Sequence, residues 1–350
     1  MVWPRISVVW LNYNSMRIID VVLESLKSIA DLDYPSDRYE LIIIDNGSND
    51  GSFEVIRDFL ERKSGLRRKI IKLERNLGFT GGNNVGFRAR DRDSKYVLLI
   101  NNDAVIRGDG LRRLVEFAEN HQFIGAVQGV VLRYRSNLID TAGGYVTELL
   151  HTIPAGEGEP YPWILRRPIY LSYADGSCVL YRVDAVKRCC GDKLFIDELF
   201  GYGDDSILGL MLWNHGFSSV SINEVVAEHL RGASFGRRSL LSLYLHLRNH
   251  VALSEVSNSR YKRIMKLITA RFGASCLRDN SCRYVAKAIL SSGRRLSKLL
   301  KRRLYIDLYK APIVRMDPLY VPLLFVSRKY VEKYFKKWYI QNIDKLEIKT

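Results

Sequence analysis

The run Tyr96-Val97-Leu98-Leu99-Ile100, followed at once by Asn101-Asn102-Asp103, constrains this chain more than any other eight residues. Consecutive apolar residues without alternation suit a strand covered on both faces, as in a parallel sheet. Ligands of open α/β sheets gather outside the carboxyl ends of such strands. Asp103 therefore stands where a metal ion or a phosphate ligand would sit. Taken alone, the segment is more simply a strand running into an Asn/Asp turn or a helix N-cap. The rest of the chain changes that reading.

The same arrangement recurs upstream. Residues 6–11 read as a strand ending in Asn12-Tyr13-Asn14-Ser15, and 18–29 carries apolar residues at helical spacing. A β-branched strand at 41–44 ends in Asp45-Asn46-Gly47-Ser48-Asn49-Asp50-Gly51-Ser52, and is followed by a predicted helix over 53–60 and a strand over 69–73. A loop rich in Gly and Asn, Asn76-Leu77-Gly78-Phe79-Thr80-Gly81-Gly82-Asn83-Asn84, precedes a short helix and the Asp103 strand. Strands alternating with helices predict an α/β fold, a mostly parallel sheet with helices on both faces. Right-handed crossovers would set the polar strand ends at Asn12, Asp45 and Asp103 along one sheet edge. The glycines match neither a P-loop nor GxGxxG in a first βαβ unit, which excludes mononucleotide kinases and dinucleotide dehydrogenases.

Hydrophobic content of 47% fits a folded globular chain, and no apolar run approaches the ~18 residues of a membrane span. The N-terminus enters a strand without a signal-peptide pattern. The cysteines, Cys178, Cys189, Cys190, Cys276 and Cys282, are odd in number and lack CxxC spacing. Both features point to the cytoplasm and away from a disulfide or zinc framework. Charge divides the chain: residues 1–236 hold 28 Lys/Arg against 31 Asp/Glu, and residues 237–350 hold 26 against 7. Two parts are expected, a catalytic domain over 1–236 and a basic, mainly helical region over 237–350. Such a basic block is drawn to phosphates of lipids, lipid-linked diphosphates or nucleic acid.

The ordered motifs, continued by Ala174-Asp175-Gly176-Ser177-Cys178, Phe200-Gly201-Tyr202-Gly203-Asp204-Asp205 and Glu228-His229-Leu230-Arg231-Gly232-Ala233-Ser234, resemble those of glycosyltransferase family 2 in its rhamnosyltransferase-like branch. The resemblance spans about residues 5–236. It implies the GT-A fold and transfer of a sugar, with inversion, from a nucleoside diphosphate donor. It also implies nucleotide contacts at Asn12, Asn14, Asp45, Asn46, Asn83, Asn101 and Asn102, with Asp45 accepting the imide N–H of uracil or thymine. By the same resemblance Asp103 is the carboxylate for a divalent cation (Mn2+ or Mg2+), and His229 is a second ligand or a diphosphate contact. Arg231 would hold phosphate oxygens through its planar fork. Asp205 is implied as the general base, with Asp204 in the place of the family's Glu. Asp175 and Gly176 would adjoin donor sugar and acceptor. One departure stands out: Asn101 and Asn102 occupy places where carboxylates are common, and amides bring no charge.

Residues 137–172, rich in Gly, Pro and aromatics, read as an irregular acceptor loop. Helices are expected over 240–253, 260–272 and 284–304, with Arg294-Arg295-Leu296-Ser297-Lys298-Leu299-Leu300-Lys301-Arg302-Arg303 the densest basic patch. Tyr305, Tyr309, Tyr320, Phe325, Tyr330, Tyr334, Phe335, Trp338 and Tyr339 would supply interfacial aromatics. The combined expectation is an inverting glycosyltransferase peripheral to the cytoplasmic membrane face. It would use a dTDP- or UDP-sugar, with a GDP-sugar as the variant, and a glycan or lipid-linked acceptor. Nucleic acid is the less favoured partner. The contrasting class is a catalytically silent protein of the same fold, recruited by its basic tail.

Overall fold

A computed structural model describes residues 3–63, 65–231, 240–265, 280–318, 321 and 328–348. The first half alternates as expected: β1 (Ile6–Asn12), α1 (Ile19–Ala30), β2 (Tyr39–Asp45), α2 (Ser52–Glu61), β3 (Arg68–Lys72), α3 (Gly78–Ala89), β4 (Tyr96–Asn101), β5 (Ala104–Ile106) and α4 (Gly110–Asn120). Then come β6 (Ile124–Arg133), β7 (Ile139–Thr141), β8 (Gly144–Val146), β9 (Thr152–Pro154), β10 (Ile169–Leu171), β11 (Cys178–Arg182), α5 (Val183–Cys190), α6 (Asp204–Asn214) and β12 (Ser218–His229). The basic region supplies α7 (Leu240–Val256), α8 (Asn280–Leu300) and α9 (Arg328–Leu346).

One large sheet runs β10-β12-β6-β11-β4-β1-β2-β3, with β5 paired to β12 and β7 to β6. Pairing is parallel among β3, β2, β1 and β4 and between β6 and β12. It is antiparallel wherever β11, β10, β5 or β7 joins. The switch at β11 has a local cause: its chain returns toward β4 from the pocket end, through Asp175-Gly176-Ser177, instead of crossing over by a helix.

Alternation along each strand divides the core into two layers. Ile6, Val8, Trp10, Leu41, Ile43, Leu98 and Ile100 pack with Val22 and Leu26 of α1 and Leu111 and Leu114 of α4. Val9, Ile42, Ile44, Val97 and Leu99 face the other way, onto Phe87 of α3, Val186 of α5 and Leu208 of α6. Burial on both faces explains why these strands are apolar throughout. Register then brings three strand ends together: Asn12 lies opposite Asp45, and Leu11 opposite Asn101.

Two expectations change. The stretch 137–172 is no irregular loop. It holds four short strands, and Ala142, Tyr145, Leu149, Ala155, Leu165 and Leu171 are buried. Its apolar residues are spent on the basic region, because Tyr145, Leu149 and Ile169 share a cluster with Tyr261, Val314, Met316, Phe335 and Tyr339. For the same reason Phe335 and Tyr339 are core residues, at 6% and 0% exposure, rather than membrane-facing aromatics. Trp338 and Tyr334 pack against that cluster. Tyr305 and Tyr309 remain exposed. A further cluster joins Tyr173, Ile207 and Leu210 to Leu253, Leu296, Leu300 and Ile306, so the two halves share cores. The boundary near 236, the motif residues Gly232, Ala233 and Ser234, part of the 260–272 helix, Cys276, Tyr320 and Phe325 lie outside the described residues, as do the side chains of Cys282 and Tyr330. Among the described residues, no helix is long and apolar enough to cross a membrane.

Candidate functional site

The carboxyl ends of β1 and β4, the turn before β11, the start of α6 and the end of β12 surround a cavity of ≈ 360 Å³. That is the size of a small-molecule site. Of the residues singled out from sequence, Asn46, Asn101, Asn102, Asp103, Asp175, Gly176, Asp204, Asp205, His229 and Arg231 line it.

Asn12, Asn14, Asp45 and Asn83 do not line it. Asp45 is fully buried, and both its oxygens are taken: Oδ1 accepts from Asn12 Nδ2 at 2.9 Å, and Oδ2 from the Ser48 backbone N–H at 3.0 Å. Asn12 also donates to Ser48 and Ser52 and accepts from Ser15 and Asn102. Asn14, at φ 45°, accepts from the Asn49 N–H at 2.9 Å and ties the two loops together. Asparagine is among the residues that tolerate that left-handed backbone. Asn83 is buried on α3 and donates to the Phe79 carbonyl. Asn46 lines the cavity and also binds loop to loop, donating to Asn76 Oδ1 and the Gly78 carbonyl and accepting from the Leu77 N–H. At this end the wall itself is Leu11, Tyr13, Asn76 and Phe79.

The opposite end is carboxylate-rich. Asp204 and Asp205 open α6 after Gly203, whose φ of 83° suits glycine. Gly209 lets α6 approach closely, since a Cβ there would meet the Ser172 carbonyl at 2.5 Å. Asp205 Oδ2 accepts the Gly176 N–H at 3.2 Å, while its Oδ1 is buried without a partner. Burial first, then the charge of Asp175, pushes the Asp204 carboxyl up to about 6. Burial, with Asp204 and Asp175 adding repulsion, holds Asp205 well above the usual carboxylate range.

His229 ends β12, which pairs with β5 just beyond Asp103. Its Nε2 lies 3.1 Å from Asp103 Oδ1 and its Nδ1 2.9 Å from Asp140 Oδ2. Burial opposes a charge on this ring, but hydrogen bonds to Asp103 and Asp140 outweigh it and raise its pKa to about 10. Arg231 Nη1 donates to Asp140 Oδ1 at 3.0 Å and to Glu157. Asp140, Asn76, Phe79, Tyr173, Tyr202, Thr152 and Pro154 were missed as site residues. Asn76 and Phe79 sit inside a motif loop and could have been named from it. Asp140 and Thr152 lie in the segment read as irregular, where no periodicity marked them.

The lining fits a divalent cation in two ways. Among the described residues, Asp103, Asp175, Asp204 and Asp205 line the cavity with Arg231 and His229, an acid-rich wall that accommodates a cation beside an anionic ligand. The 3.1 Å between Asp103 Oδ1 and His229 Nε2 is about the spacing of neighbouring ligands on one ion with bonds of roughly 2.1 Å. Among the described residues, no group of three or more His, Cys, Asp and Glu side chains is arranged to hold a metal ion.

Comparison with known proteins places this geometry among relatives. The sequence profile described as "Glycosyl transferase family 2" matches residues 7–189. The poly-beta-1,6-N-acetyl-D-glucosamine synthase of Staphylococcus epidermidis is 33% identical over 110 residues, 31% of this chain and 25% of that protein. This chain thus matches only a quarter of that relative's length. Among solved structures, the mannosyltransferase PcManGT of Pyrobaculum calidifontis, in complex with GDP-Man and Mn2+, has a TM-score of 0.52 at 18% identity, covering 96% of this chain and 84% of that one. Residues 1–349 of TarS from Staphylococcus aureus, in complex with UDP-GlcNAc, give a TM-score of 0.51 at 15% identity, covering 86% and 93%. At these identities the two structures establish a shared fold, the GT-A fold.

Proposed function

The chain belongs to glycosyltransferase family 2, and from that premise we propose that it is an inverting glycosyltransferase. It moves a sugar from a nucleoside diphosphate donor to a hydroxyl of a glycan or lipid-linked acceptor. The observation that carries the reading is that Asp103 from the β4 end and Asp205 from α6, far apart in sequence, line one cavity.

Asp205 takes the proton of the acceptor hydroxyl as that oxygen bonds to the anomeric carbon. The bond from that carbon to the diphosphate oxygen breaks, and its electron pair leaves with the diphosphate. Burial and like charge raise the proton affinity of Asp205, and a general base works best with a pKa near the working pH. Asp175 hydrogen-bonds sugar hydroxyls, and Gly176 lets the backbone come close. Asp103 and His229 would hold a divalent cation, whose chemistry is to neutralise the departing diphosphate. Arg231 meets the phosphates. Leu11, Tyr13, Asn46, Asn76 and Phe79 flank the base, while Asn12, Asn14 and Asp45 hold the loops that carry them. A UDP- or dTDP-sugar is the favoured donor; the GDP-Man bound by PcManGT keeps a GDP-sugar as the variant.

The chain works at the cytoplasmic face of an anionic membrane, held by the outer side of α8 and the turn that follows it. There Lys287, Arg294, Arg295, Lys298, Lys301 and Arg302 are exposed. Arg294, Arg295, Lys298 and Arg302 have no acidic partner among the described residues, unlike Lys301, which pairs with Glu255. A second reading, a catalytically silent binding protein, is favoured by Asn101 and Asn102, which bring no charge to the cation. Donor turnover with Mn2+ decides: hydrolysis or transfer lost in Asp205→Asn with donor binding kept supports the enzyme, and no turnover of any nucleotide sugar by the wild-type chain supports the binder.

A further inference from the structure

Asp140 belongs to no motif, yet both its oxygens are engaged by residues of the cavity. It sits on β7, 2% exposed, in a strand paired with β6. Its two oxygens are divided. Oδ2 faces His229 Nδ1 at 2.9 Å, and Oδ1 accepts from Arg231 Nη1 at 3.0 Å. The same Nη1 also reaches the Asp140 carbonyl at 3.5 Å and the Glu157 carboxylate. Arg231 is held there with a backbone φ of 52°, a strained value for a non-glycine residue that neighbouring contacts must maintain. One carboxylate therefore fixes both His229 and Arg231, the basic groups that line the cavity among the described residues.

The arrangement sets a tautomer. A carboxylate opposite Nδ1 only accepts, so Nδ1 must carry a proton. Nε2 carries one too while it faces the Asp103 carboxylate. It is the Nε2 proton that a cation between the two would displace, leaving the lone pair on that nitrogen. Metal-binding histidines commonly have their second nitrogen oriented by such a carboxylate. We propose that Asp140 is a positioning residue that turns His229 Nε2 into a cation ligand and, through its second oxygen, aims Arg231 at the diphosphate. The proposal rests on the cation reading given above for Asp103 and His229.

Replacement by Asn tests it, because an amide cannot serve both partners. With its oxygen toward Arg231, its NH2 donates to Nδ1 and forces the imidazole proton onto Nε2, facing Asp103. With its oxygen toward His229, its NH2 opposes the Arg231 N–H. While Arg231 is present the first orientation is favoured, and His229 is lost as a ligand. Once Arg231 is removed, the amide is free to turn and restore it. Mn2+ binding, followed by electron paramagnetic resonance with saturating UDP, should weaken about 10- to 100-fold in Asp140→Asn. It should recover several-fold in Asp140→Asn/Arg231→Ala, beyond any change that Arg231→Ala alone produces by removing a positive charge, a rescue that a purely structural role would not produce.

Unchanged Mn2+ affinity in Asp140→Asn, with wild-type binding intact, overturns the proposal alone, and so does a double variant that recovers no more than Arg231→Ala alone accounts for. A wild-type chain that binds no Mn2+ overturns the cation reading and the proposal together. Should the variants unfold, the 15N spectrum of histidine-labelled wild-type protein with Mg2+ and UDP decides the matter. A His229 proton on Nδ1 supports the assignment, and a proton on Nε2 overturns it.

Discussion

The two ends of the cleft use the same residue types in opposite ways. At the β1–β2 end, Asn12, Asn14, Asp45 and Ser48 satisfy one another, and Asp45 has no free oxygen. At the α6–β12 end, Asp205 keeps a buried oxygen without a partner, and Asp103 and His229 face each other across 3.1 Å. A saturated polar network specifies shape. An unsaturated one holds unspent interaction free energy that a ligand can use. At these two ends the polar motif residues divide between scaffold and chemistry.

The sharpest way to break this contrast is at Asp205. Asp205→Asn should lower transfer by about 10²- to 10⁴-fold, the usual contribution of a general base, with donor affinity retained in titration calorimetry. Loss of donor affinity instead would make it a binding residue. Asp103→Asn should abolish Mn2+-dependent donor binding, with a lower melting temperature as well, because the buried His229 imidazolium loses one of its two acid partners.

Asp45→Asn should spare the chemistry. Disturbing its two buried hydrogen bonds should cost about 1–3 kcal/mol, read as a lower melting temperature, with activity per folded molecule within a few-fold. If Asp45→Asn keeps its stability and loses donor affinity, the comparison fails.

A pH titration tests the reactive end more finely. The Asp204 carboxyl is raised to about 6 in the folded chain, so the folded state binds its proton more tightly than the unfolded state does. Stability from this group is full below the ordinary carboxylate value near 4 and is lost as pH rises through about 6. Asp204→Asn should therefore melt higher than wild type at pH 7 to 8 and gain less at pH 4. An equal gain at both values would place the group outside the coupled acids. Along the same lines, the acid limb of kcat/KM should lie above the ordinary carboxylate range. The smallest effect concerns the exposed side of α8: each basic residue neutralised there, as in Lys298→Gln, should weaken sedimentation with anionic vesicles by roughly 1 kcal/mol. Turnover of a soluble acceptor should be unchanged.

Much of this was legible along the chain. Strands buried on both faces read as unbroken apolar runs, and their polar ends announced the sheet edge with Asn46, Asn101, Asn102 and Asp103, while family resemblance pointed to Asp175, Gly176, Asp204, Asp205, His229 and Arg231. Asp45 and Asn12 lie behind the cavity wall in the structure, and the chain alone does not separate the two roles because an Asx turn and a base contact ask for the same residue in the same place. The middle stretch misled because its strands are only three residues long, too short for a period to register. The aromatics of α9 were read as interfacial because one sequence cannot say which surface an apolar face meets.

The order of secondary structure and the class of fold were set by local pattern, since periodicity and turn chemistry act within a few residues. Which carboxylates meet was decided only by tertiary packing. Strand register, the close approach of α6 at Gly209 and the burial of residues 137–172 under the basic helices bring Asp103, Asp140, Asp205 and His229 around one cavity. Those contacts link distant segments, and their proton affinities depend on burial and neighbouring charge, neither of which a linear string carries.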